Sequence, residues 1–108
     1  MSLSYAPTRI VHFAYFASLV SRYVRRLRWP RERIEVEQTR ALRGLLGHAA
    51  KRSPWHSERL SGIDLDRLTI ADLASVPTMT KRDLMEHWDS ILTDRRITRA
   101  AAEAHLRV

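Results

Sequence analysis

The stretch Leu73-Ala74-Ser75-Val76-Pro77-Thr78-Met79-Thr80-Lys81-Arg82-Asp83-Leu84 contains a short helical segment, a proline stop and a marked helix start. The Thr80 side chain can accept from the backbone of its helix's first turn, and Asp83, three residues on, can answer it as a capping box. Pro77 cannot continue a helix arriving from Leu73. The same phrasing recurs outward. Thr69 with Asp72 forms a second box ahead of a helix expected over Ile70 to Val76. Ser53-Pro54 puts a capping serine before a proline at the first helical position, and Thr98 caps an alanine-rich helix from Arg99 to Leu106.

Two longer helices precede these. From Thr8 to Trp29, Ile10, Phe13, Ala17, Val20, Val24 and Leu27 recur at steps of three and four, and Pro30 ends the run. Tyr15, Phe16, Leu19 and Tyr23 widen the apolar surface toward a second contact or a membrane interface. The next helix is expected from Arg31 to about Lys51. Its inner face comprises Ile34, Gln38, Ala41, Leu42, Leu45 and Ala49, with Arg33, Glu37, Arg40 and Arg43 outside. Gly44 and Gly47 inside it predict either a weak helix or a closely packed neighbour. Ile63 to Leu68 reads equally as an extended link or a helical turn. After Thr80, Leu84, Met85, Trp88, Ile91 and Leu92 form an inner face, while Lys81, Arg82, Glu86 and Asp89 face water. No run alternates with period two, so the expected fold is all-α, with five to six short helices joined by capped links. The organisation is a partly basic amphipathic helix over 1–30 and a helical segment over 31–108.

With 108 residues and 44% hydrophobic content, there is material for one small core. The absence of cysteine rules out disulfides and thiolate chemistry and is compatible with a reducing cytoplasm, the expected location. The apolar run from Ile10 to Val20 is too short to span a bilayer, and its positive charges follow it, unlike those of a secretory leader.

Net charge is +7, carried by the first half: eleven Lys/Arg against three Asp/Glu through Pro54, and eight against nine after it. The candidate anion-contact patch is Arg22, Arg25, Arg26, Arg28, Arg31 and Arg33. Arginines interleaved with Tyr23 and Trp29 suit single-stranded nucleic acid or anionic lipid, yet arginines also favour the negative end of a helix, where aromatic rings pack on the next element. The expectation is docking onto protein without specific nucleic-acid binding, and weak peripheral membrane contact through residues 8–29.

Other chemistry finds little support. The histidines His12, His48, His56, His87 and His105 contain no pair at spacing three or four, so no metal site is expected. Asp64 and Asp66 fall where turn residues belong, and Glu32, Glu35 and Glu37 alternate with arginines on a solvated face. Ser53 near His56 is a cap, not a nucleophile and its base. No catalytic residue is assigned.

Several phrases in order carry a family resemblance: Gln38…Leu42…Leu45-Leu46…His48-Ala49, Ser53-Pro54, Asp72-Leu73…Val76-Pro77, Thr80-Lys81…Asp83-Leu84 and Asp94-Arg95-Arg96-Ile97-Thr98. Together, over Gln38 to Leu106, the chain resembles the N-terminal lead-in of the phenylacetate-CoA ligase-like adenylate-forming enzymes, including their capsular-polysaccharide-associated branch. Trp55-His56 stands where that family usually carries an aromatic pair. The resemblance implies the helical start of a larger α/β enzyme that activates a carboxylate with ATP and magnesium and passes it to coenzyme A. None of the family's residues for ATP, magnesium or coenzyme A has a counterpart here, so the chain is expected to be an N-terminal fragment or remnant of such an enzyme, inactive alone, with the remainder of the enzyme, if one exists, as its partner. The alternative expectation is a free-standing basic helical module that binds a membrane surface, nucleic acid or acidic protein.

Overall fold

The computed structural model describes residues 5–107; the first four residues of the 1–30 segment and Val108 lie outside the described residues. These residues are all-helical, with no strand among them. Six α-helices, α1 Tyr5–Arg26, α2 Arg31–Arg52, α3 Pro54–Arg59, α4 Lys81–Glu86, α5 Trp88–Ile91 and α6 Arg99–Leu106, are joined by one 3-10 helix at Ile70–Ser75. The chain divides into two compact units, Met1–Val36 and Glu37–Val108, and the division falls within α2.

In the first unit, α1 stops earlier than Trp29. The amides of Leu27, Arg28 and Trp29 donate to the carbonyls of Val24, Arg25 and Arg26 at 3.2, 3.2 and 3.0 Å, a tighter three-residue spacing that winds the helix down. Pro30 in turn disfavours helical geometry at Trp29, the residue before it, so the chain does not resume an α-helix there. Pro30 then opens α2, its carbonyl accepting from Arg33 and Ile34.

In the second unit the core is small. Leu46 of α2, Leu60 after α3 and Leu68 are buried together, with Leu42, Ala50, Ile63, Leu65 and Val76 packed on them. The inner face of α2 is therefore the row through Leu42, Leu46 and Ala50, and the expected Leu45 is 66% exposed. Adjacent leucines stand about 100° apart on a helix, so periodicity alone does not choose between them. The stretch over Ile63 to Leu68 is a helical turn: Arg67 and Leu68 N–H donate to the Asp64 carbonyl, and Asp66 N–H donates to the Asp64 carboxylate.

The caps stand where the sequence puts them. Thr80 Oγ1 accepts from Asp83 N–H at 3.1 Å while Asp83 accepts from Thr80 N–H at 2.7 Å. Asp72 accepts from Thr69 N–H at 2.9 Å, and Thr98 Oγ1 accepts from Ala101 N–H at 3.1 Å. One element differs. The helix after Thr80 is interrupted at His87, whose backbone (φ −119°, ψ 25°) closes α4 and opens α5. The interruption breaks the expected face. Ile91 is buried, Leu84, Trp88 and Leu92 are half-buried, and Met85 is exposed. Asp89, expected to face water only, accepts from Arg99 N–H at 2.7 Å and so supports the start of α6.

Candidate functional site

The six candidate arginines occupy the first unit, around the corner between α1 and α2. Arg22 and Arg25 are three residues apart on α1 and exposed, and Arg25 Nη2 donates to Ser21 Oγ at 3.3 Å. The Arg26 guanidinium lies over the Tyr23 ring at 4.8 Å and the Trp29 ring at 5.3 Å, and Arg33 lies over Trp29 at 4.0 Å. Such stacking favours both partners electrostatically and holds Trp29 at the corner. Arg31 pairs with Glu35 at 2.8 Å, which raises its pKa through the hydrogen bond and then through the carboxylate charge. Arg28 stands exposed in the turn that follows α1. The structure thus separates the patch into two sets. Arg26, Arg31 and Arg33 are engaged within the corner, and Arg22, Arg25 and Arg28 project toward solvent.

Beside them α1 leaves its apolar residues uncovered. Phe13 is 73% exposed and Phe16 is 62%, and Ile10, Val20, Tyr23 and Val24 are exposed as well. At 100° per residue, Phe13, Phe16, Ala17, Val20 and Val24 share one face, with Ser18, Arg22 and Arg25 on the opposite one.

In the second unit the residues with chemical potential serve as structure. Ser53, 1% exposed, accepts from His56 N–H at 3.2 Å and donates to the Ser90 carbonyl at 3.0 Å. His56 sits edge-on to Trp55, and its Nδ1 accepts from Arg59 at 3.2 Å. Burial, and then the Arg59 charge, push its pKa below 6.5 and favour the neutral ring. Asp64 is occupied by Asp66 N–H and by Arg67 at 3.8 Å, and Glu37 by Arg40. Among the described residues no three His, Asp or Glu side chains gather as a metal set.

Two features escaped the sequence reading. Gly44 and Gly47 do not mark a close neighbour, because a Cβ at either would meet nothing within 4 Å. They border an open groove of about 830 Å³ between α2 and the Ile63–Asp66 turn, rimmed by Arg43, His48 and Lys51 on one side and Asp64 and Asp66 on the other. Their spacing of three was the available signal. Arginines also reach backbone carbonyls: Arg43 to Leu68 at 2.6 Å, Arg59 to Pro77, Arg95 to Asp89 and Arg52 at 2.8 Å each, and Arg99 to Met85 at 2.8 Å. Arg43 had been expected to face only water; the turn that brings Leu68 onto α2 supplies its acceptor.

Among the described residues the closely spaced glycines do not make a phosphate cradle. Gly44 and Gly47 lie inside a continuous helix, where their amides are committed to the helix and cannot form a phosphate-binding loop. A search against protein-family models, characterised proteins and solved structures finds no match to this chain.

Proposed function

We propose that residues 37–108 are the helical lead-in of an ATP-dependent, acyl- or aryl-CoA ligase-like enzyme, contributing a packing surface and no catalytic group. One observation carries this reading. The resemblance covers Gln38 to Leu106, and the compact second unit covers Glu37–Val108, so the phrases that carry the likeness coincide with one folded piece. Three of the phrases are also helix starts or stops that shape that piece: Ser53-Pro54 starts α3, Val76-Pro77 ends the 3-10 helix and Thr80…Asp83 starts α4. Leu45, Leu73, Met79, Ile97 and Leu106 remain exposed as apolar contacts for the rest of such an enzyme. On this reading the protein works in the cytoplasm.

The test is to read the coding sequence after codon 108 for a Ser/Thr/Gly-rich loop and to assay the encoded enzyme, with this chain present, for acid-dependent ATP–pyrophosphate exchange across aryl and alkyl acids. Exchange that falls when residues 37–108 are deleted supports the reading. An unrelated downstream sequence, or exchange indifferent to the deletion, overturns it. The 108-residue chain alone is expected to give no exchange above background.

A further inference from the structure

We propose that α1 is an interfacial helix that lies in the plane of an anionic lipid bilayer, with the Phe13, Phe16, Val20 and Val24 face in the acyl boundary and Arg22, Arg25 and Arg28 on the headgroups. This inference concerns residues 5–29 and stands independently of the reading given for residues 37–108.

Length and hydropathy favour lying on the surface over spanning. From Ile10 to Ser21 the only ionisable side chains are His12 and Tyr15, and those twelve residues rise about 18 Å against a hydrocarbon core of about 30 Å. No helix among the described residues is long and apolar enough to cross a membrane. The helix instead has two exposed faces. Phe13, Phe16, Val20 and Val24 share one, and the other carries Ser18, Arg22 and Arg25 toward the C-terminal end beside Val11 and Tyr15. An apolar face thus meets a cationic end, as in a helix half-sunk in a headgroup layer. Tyr23 and Trp29 add rings with one polar end at the cationic terminus, where such residues sit at membrane–water boundaries.

Charge selects the occupant. The α1 sequence contains no Asp or Glu, so a second copy of the helix has no acid with which to answer its arginines. Nucleic acid is disfavoured by the corner itself. Base stacking needs open ring faces, whereas the half-buried Trp29 ring already carries the Arg33 and Arg26 guanidinium groups at 4.0 and 5.3 Å, and the exposed Tyr23 ring carries Arg26 at 4.8 Å. Anionic lipid satisfies both faces at once, with acyl chains for the phenylalanines and phosphates or carboxylates for the arginines.

Because the chain has no cysteine, single labels report on each face. Full-length Ala17→Cys and Ser18→Cys, each carrying an environment-sensitive fluorophore, are titrated at about 0.15 M salt with vesicles of phosphatidylcholine alone, vesicles containing phosphatidylserine, and single-stranded DNA. The expected result is a blue shift at position 17, none at position 18, and only with phosphatidylserine. Arg22→Gln/Arg25→Gln should keep its helix content by circular dichroism and lower partitioning about thirtyfold, from about 1 kcal/mol per arginine near an anionic surface. Phe16→Glu should abolish the shift. The proposal is overturned by no shift at position 17, by equal shifts at both positions, by equal shifts with both vesicle types, by a lipid-free shift that grows with protein concentration (a second copy covers the face), or by a response to DNA alone.

Discussion

The Ser53 hydroxyl donates to the Ser90 carbonyl at 3.0 Å and accepts from the His56 amide, so one buried side chain starts α3 and ties it to α5. Ser53→Ala removes a cap and strands a carbonyl. A loss of about 2 kcal/mol in urea unfolding is expected, with the exposed Ser57→Ala changing stability by less than about 0.5 kcal/mol. Equal effects from the two variants would contradict the role given to Ser53.

Gly44→Ala and Gly47→Ala should each stabilise the protein by up to about 1 kcal/mol, since both glycines are helical and neither has anything within reach of an added Cβ. A midpoint rise of several degrees in the double variant checks this. A fall would mean that something fills the groove beside α2 in solution.

Leu60→Ala is expected to cost about 3 kcal/mol, because its side chain is 2% exposed at the centre of a core with few members. Met85→Ala, on the face that the break at His87 turns outward, should cost less than about 1 kcal/mol. Comparable losses would show that α4 and α5 form one unbroken helix with the apolar face the sequence suggested.

Acid should destabilise the protein in two windows. His56 has its pKa lowered from 6.5, so the unfolded chain binds its proton more readily and stability declines as pH falls below about 6.5 through the folded value. Asp72 and Asp83 have theirs lowered from 3.8, mainly by the backbone amides of Thr69 and Thr80, and their contribution is present above 3.8 and lost as pH falls through the folded values. Thermal midpoints across pH should therefore show an upper decline that His56→Gln removes and a lower one that Asp83→Asn reduces. An unchanged upper decline in His56→Gln would place its origin elsewhere.

These cases mark what was legible in the sequence. Caps are local, so Ser53, Thr69, Thr80 and Thr98 announced their helices from a few neighbouring residues. Faces are not local. Leu45 and Leu46 carry the same hydrophobic signal, and the choice between them is made by Leu60 and Leu68, which arrive from elsewhere in the chain. The break at His87 was hidden because Leu84, Trp88 and Ile91 keep helical spacing across it. Within the candidate site, composition pointed to a basic, aromatic corner, while the division of its arginines depended on the position of Trp29 after the early end of α1.

The arginines of the second unit that end on backbone carbonyls give ionic strength a selective effect. Arg43, Arg59, Arg95 and Arg99 each join a formal charge to a neutral dipole at close range, an attraction that mobile ions weaken far less than attraction to a charged surface. If α1 lies on an anionic layer as proposed, brine strong enough to detach Arg22 and Arg25 leaves those cross-links closed, and the protein is released from the layer still folded.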